Sequence, residues 1–214
     1  MKLAFCTEDR TDDAILRAIA ERILDELVEA LPASLVMRRG GGWQEALRIA
    51  PQIARAVFHS EAHGAVFVVD NDGDPPHEPS HDQTPMVECR LCALRQSAAV
   101  HDVLRWARPA MPPLQFVFAV PVQVLETWLL LGARRFPHNK TADQFGTNAT
   151  ERRQLKLALY GDERADREQR LSTALPIAQQ LDVPAMSRVS RSLADFAHQL
   201  RAARDAIRTA LSAE

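Results

Sequence analysis

Cysteine is scarce in this chain. Three cysteines in 214 residues cannot close a disulfide framework, and they suit a reducing cytoplasm. Lysine is scarcer still relative to its partner, since 23 of the 26 basic residues are arginine and only Lys2, Lys140 and Lys156 are lysine. Arginine grips phosphate bidentately, although a codon bias toward Arg and Ala would leave the same mark. Excess charge of one sign is also missing. With a net charge of −2, no global field draws the protein to nucleic acid or anionic lipid, and a polyanion has to be met by a local patch. Long apolar runs are absent too. The most apolar region, Leu114 to Leu131, is interrupted by Pro121 and Glu126, which argues for a strand plus a helix and against a transmembrane span. Met1–Cys6 is too short for a secretory leader and runs straight into acids. No Gly-x-Gly-x-x-Gly follows the first apolar run and no Gly-x-Ser-x-Gly elbow occurs, which disfavours a dinucleotide fold and a serine-hydrolase site. We find no internal repeat and no low-complexity tract. These absences leave a soluble, cytoplasmic protein as the expectation.

What is present fits an ordinary globular chain, 46% hydrophobic and 25% charged, long enough to bury a real core. Leu3–Cys6 reads as a first strand, followed by a helix from about Asp12 to Leu31 with Thr11 as N-cap. Asp12 and Asp13 suit the positive end of that helix, and Leu16, Ile19, Ile23, Leu27 and Leu31 recur at helical spacing. Ser34–Met37 is a weak second strand. A helix then reaches about Phe58, with Pro51 expected to kink or break it. Ala65–Asp70 is a buried strand, followed by a Pro- and His-rich loop to Gln83. Thr84-Pro85 looks like a helix start, with the helix running to about Ala107. Leu114–Val120 is another buried strand, and Val122–Ala133 a short helix. After Asn148 only helical patterns appear, near 150–160, 164–181 and 190–212. Alternating strands and helices predict an α/β fold with a mainly parallel sheet flanked by helices. The core would span 1–147 and a helical C-terminal part 148–214.

The chemistry concentrates where the strand Ala65–Asp70 ends in Asn71-Asp72-Gly73-Asp74. Ligands of open parallel sheets bind outside the carboxyl ends of the strands. Asp70 and Asp72, two apart, point the same way in extended backbone. Two carboxylates facing one crevice call for a shared cation or proton, and Mg²⁺ accepts such oxygens together with substrate phosphates. Asp74 belongs to the turn. Glu8 stands just past the first strand, so neighbouring strands would bring Glu8, Asp70 and Asp72 to one edge. Turn chemistry alone also places Asp after strands, and that reading stands beside the metal site.

A Glu after the first strand plus an Asp-x-Asp after a later one resembles the TOPRIM domain. Thr7-Glu8-Asp9-Arg10-Thr11-Asp12 looks like that family's Glu-Gly element, with Asp9 where glycine usually stands, so the close backbone approach that glycine permits is lost here. More narrowly, Val124-Leu-Glu126-Thr-Trp128-Leu-Leu-Leu131 and Ser190-Arg-Ser-Leu-Ala-Asp-Phe196 resemble segments of small bacterial TOPRIM-like proteins related to the overcoming-lysogenization-defect nucleases of phage defence. The resemblance implies Mg²⁺- or Mn²⁺-dependent phosphoryl chemistry on nucleic acid, hence a nuclease. Glu8 would serve as general base or second-site ligand, and Asp70 and Asp72 would hold the metal. Glu126 would complete the metal shell or orient a partner; as a plain helix-start acid it would instead pair with an arginine. Trp128 reads as core. The alternative is a catalytically inactive TOPRIM-like subunit that binds nucleic acid or a partner protein in a defence or repair complex. The oligomeric state is left open.

A second metal candidate is the series His77, His81, Cys89, Cys92, whose spacing could chelate zinc. Small buried cysteines on an apolar helix face are equally ordinary core. Arg38 and Arg39, before Gly40-Gly41-Gly42, could meet a phosphate or stay solvated; the Walker lysine is missing. Arg134, Arg135, His138 and Lys140 form a basic cluster that could hold a nucleic-acid backbone or be a plain polar loop. The arginines after Glu151 alternate with acids and read as solvated faces.

Overall fold

The computed structural model describes residues 1–7, 10–30, 42–71, 74–75, 77–97, 103, 105–106, 108, 111–121, 125–134 and 148–212. Among them the strands are β1 (Lys2–Cys6), β2 (Glu29–Ala30), β3 (Gly64–Val68) and β4 (Gln115–Ala119), all parallel, in the order β2-β1-β3-β4. The helices are α1 (Arg10–Leu24), α2 (Gly42–Phe58), α3 (Ser80–Gln83), α4 (Arg90–Gln96), α5 (Leu125–Gly132), α6 (Ala149–Tyr160), α7 (Arg167–Gln179), α8 (Val183–Ser187) and α9 (Arg191–Ser212). The α/β expectation holds: a parallel sheet carries helices on both faces, and a helical part follows it. None of these helices is long and apolar enough to cross a membrane.

Strand residues alternate between two cores, because successive side chains point to opposite faces. Leu3, Phe5, Val66, Val68 and Val117 pack with α1, α5 and the C-terminal helices. Ala4, Cys6, Ala65, Phe67 and Phe118 pack with α2 and α4 on the other face. Burial on both faces explains why these strands read as continuous apolar runs. Gly64 is required where β3 meets β4, since a Cβ there would stand 2.0 Å from the carbonyl oxygen of Gln115. The outer edge of β4 is covered by α9: Gln199 accepts the Phe118 N–H at 3.0 Å and donates to the Phe118 carbonyl at 2.9 Å.

Several boundaries differ from expectation. The first helix begins at Arg10, so Thr11 is a buried helical residue rather than the N-cap. It ends at Leu24 instead of Leu31 because Asp25 turns left-handed at φ 55°, a conformation Asp tolerates. Leu27 is consequently 82% exposed, and the second strand forms at Glu29–Ala30; Ser34–Met37 lies outside the described residues. Pro51 stays inside α2; Ala50, Ile53, Ala54 and Val57 bury the helix on the sheet, and that packing carries it through the proline. Thr84-Pro85 starts no helix. Thr84 caps the end of α3 with extended backbone, φ −130° and ψ 91°, the geometry a following proline favours. The next helix, α4, begins only at Arg90.

Candidate functional site

β1 and β3 pair in parallel from Leu3↔Gly64 to Cys6↔Phe67, so their carboxyl ends lie side by side. β2 lies on one side of β1 and β3 on the other; a sheet that reverses its order in this way opens a crevice outside the strand ends. Thr7, Asp12, Leu16, Val68, Asp70 and Leu125 line a small cleft there, with space for roughly one water. Asp70 continues the alternation of Val66 and Val68 and so opens on the α1 side. Glu8 and Asp72 lie outside the described residues.

Arginine balances this edge from the C-terminal part. Arg170 of α7 donates to Asp12 Oδ1 at 2.8 Å, and its guanidinium stands 5.9 Å from the centre of the Tyr160 ring. Thr7 donates its hydroxyl to Asp13 Oδ1 at 2.6 Å. Glu126, in the first turn of α5, is buried, and its charge acts on both Tyr160 and Arg170. Burial first, and Glu126 second, push the Tyr160 hydroxyl above its usual pKa. Burial works against the Arg170 charge, yet Asp12, Tyr160 and Glu126 together hold its pKa above the ordinary value. Arg170 therefore corrects the reading of the arginines after Glu151 as solvated faces: its side chain is only 21% exposed. Nothing in the charge pattern separates it from its solvated neighbours.

Trp128 is core, as expected. It is fully buried, donates Nε1–H to Ser192 Oγ at 3.0 Å and stacks on Phe196 with ring centres 5.5 Å apart. The Glu126-x-Trp128 segment and the Ser190–Phe196 segment thus meet each other as packing surfaces.

On the opposite face of the sheet the His/Cys series comes together. One ligand atom from each of His77, His81, Cys89 and Cys92 lies within 4.8 Å of every other, with both cysteines buried. His77 Nδ1 stands 3.4 Å from Cys89 Sγ and 3.5 Å from Cys92 Sγ. Tetrahedral bonds of about 2.0–2.3 Å give ligand–ligand edges of roughly 3.3–3.8 Å, so these separations already match. The cysteines do not sit on one face of a long helix as expected: Cys89 is the N-cap of α4 and Cys92 lies in its first turn. His77 Nε2 faces Asp82 Oδ1 at 3.0 Å, the partner that typically fixes a metal-bound imidazole. Arg95 Nη1 holds Asp82 Oδ1 at 2.9 Å, and Arg95 Nη2 holds Asp195 of α9 at 3.2 Å. Burial keeps His77 below its usual pKa despite Asp82, favouring the neutral ring that ligates metals. Burial likewise raises the Cys89 thiol above its usual pKa. The cluster can hold a metal ion. Asp82 and Arg95 were not singled out from sequence; the only signal was a carboxylate one residue after His81.

Of the basic candidates, Arg134 is exposed and follows α5 at φ 55°, while Arg38, Arg39, Arg135, His138 and Lys140 lie outside the described residues. No family model, curated protein or solved structure matches this chain.

Proposed function

We propose that this protein is a metal-dependent nuclease or related phosphoryl-transfer enzyme with a TOPRIM-like core, acting on nucleic acid at the carboxyl edge of β1 and β3. The observation that supports the reading is the in-register pairing of these two strands, which sets their carboxyl ends, the points from which the acids follow in sequence, side by side. Asp70 lines a small cleft with Thr7 and Asp12, and oxygen donors are what Mg²⁺ or Mn²⁺ takes. Glu8 and Asp72 join Asp70 in this proposal by their places in the sequence. A divalent ion bound there would offset charge on the phosphate and the leaving oxygen. Arg170 holds Asp12 in place, and Glu8 serves as base or ligand. Arg134, with Arg38, Arg39, Arg135 and Lys140, is assigned to the nucleic-acid backbone.

The test is cleavage of plasmid and single-stranded nucleic acids with Mg²⁺ or Mn²⁺, beside Glu8→Ala and Asp70→Ala. We expect each variant to lose activity by about a hundredfold or more, as removal of a group that stabilises the transition state does. Equal background in all three proteins favours the inactive binding subunit, a reading to which the internal pairing of Asp12 with Arg170 lends weight.

For the second centre we propose zinc. Two thiolates and two imidazoles are a borderline-soft set that suits Zn²⁺ and not Mg²⁺, and four protein donors leave no open position, so the ion is structural. Stoichiometric zinc in protein purified without tags is the expected result; its absence from zinc-loaded protein removes the reading.

A further inference from the structure

We infer that the ion at His77, His81, Cys89 and Cys92 is a positioning device for the acidic edge, acting through Arg90 on the backbone of Asp70. The inference rests on the zinc reading above and is independent of nuclease activity. The chain leaves β3 at Val68, passes Asp70 and Asp74, supplies His77 and His81, and returns as Cys89 and Cys92. Arg90 stands between the two cysteines as the first residue of α4. It is buried; Nη1 donates to the Asp70 carbonyl oxygen, and Nε donates to Asp74 Oδ2 at 2.6 Å. Its guanidinium lies 5.6 Å from the centre of the Trp43 ring of α2. Asn71 is buried as well. Its side-chain amide donates to the Asp74 carbonyl, and the Asp74 N–H returns to the Asn71 carbonyl at 2.9 Å.

The loop is thus clamped twice, by four metal-competent donors at its far end and by Arg90 at its near end. Both clamps hang on the first turn of α4. That helix has seven residues and no side-chain bond at its N-cap, so it is held by the packing of Leu91 and Leu94 on the sheet face and not by its own length. Bonds from Cys89 and Cys92 to an ion would add a second hold on the N-terminal turn that carries Arg90. On the outside, Asp82, Arg95 and Asp195 extend the same fixation to α9.

Hydrogen exchange on the full chain, read at peptides covering residues 69–75, tests this in zinc-loaded protein, chelator-stripped protein and Arg90→Gln. Opening of a local unit speeds exchange there alone. Stripping and Arg90→Gln should each raise exchange at the Asp74 amide by on the order of tenfold, with Leu3–Cys6 and Gly64–Val68 unchanged. Arg90→Gln should keep stoichiometric zinc, and Arg90→Lys should give a smaller rise. A local rise in Arg90→Gln with full zinc supports the Arg90 link, whereas stripping that unfolds the whole chain overturns the inference, because the ion then holds the fold and not this loop. Unchanged exchange at 69–75 in Arg90→Gln, or in stripped protein whose strands stay protected, overturns it. Failure of the loaded protein to bind zinc overturns the zinc reading and the inference together.

Discussion

The two faces of the sheet flank one loop yet assemble chemistry by different routes. On the α1 face, Thr7, Asp12 and Asp70 line one cleft because β1 and β3 pair, and Arg170 arrives from the C-terminal helices. That edge depends on distant parts of the chain. On the α2 and α4 face, His77 to Cys92 converge within one short stretch of chain, and Arg95 reaches out from it to Asp195. A soft-donor centre can be built by local sequence once the loop closes, whereas an oxygen-donor edge waits for the topology.

The comparison can be broken by perturbing one face alone. The largest effect should come from Trp128→Ala, which removes a fully buried ring and its bond to Ser192 on the α1 side. Such a truncation costs about 3–5 kcal/mol, measurable by urea denaturation. Zinc stoichiometry in the folded fraction should be unaffected; its loss would show that the two faces are not separable.

Next in size, Asp82→Ala removes the partner of His77 Nε2. Loss of such a partner lowers metal affinity about 10–100-fold, read by competition with a zinc chelator. Overall stability of the zinc-saturated protein should change little, because Asp82 is largely exposed. An unchanged affinity would mean that Asp82 does not support His77 as a ligand.

The smallest effect concerns pH. His63 accepts the Lys2 N–H at 3.0 Å through Nδ1, and burial, helped by the nearby N-terminus and Arg108, lowers its pKa below the ordinary 6.5. The folded state therefore takes up this proton less readily than the unfolded chain, so stability present above that range is lost as pH falls through it. His63→Gln should flatten the slope relative to the parent, in urea midpoints taken on either side of pH 6.5 at saturating zinc. Identical slopes would remove His63 from the account.

Much of the sheet was legible because burial on both faces writes strands as unbroken apolar runs: Leu3–Cys6, Ala65–Asp70 and Leu114–Val120 all mark true strands. Helix ends were less so. Nothing local announces that Asp25 will turn left-handed, since apolar spacing continues to Leu31, and Pro85 carries a helix-start signature that its extended neighbour overrides. At the sites, donor types could be read but not their supports. Arg90, Arg95 and Arg170 act through partners between 13 and 158 positions away, and sequence spacing does not encode such pairings. Glu126 was readable as a helix-start acid, but its proximity to Arg170 comes only from the packing of α7.

The paired bonds from Gln199 to Phe118 have a bearing on assembly. A bare outer strand is a template on which another copy can lengthen the sheet. Here that template is already occupied by a side chain mimicking a backbone partner, so a newcomer would first have to prise α9 away. Growth by strand addition is blocked on that side, which guards the folded chain against edge-to-edge aggregation.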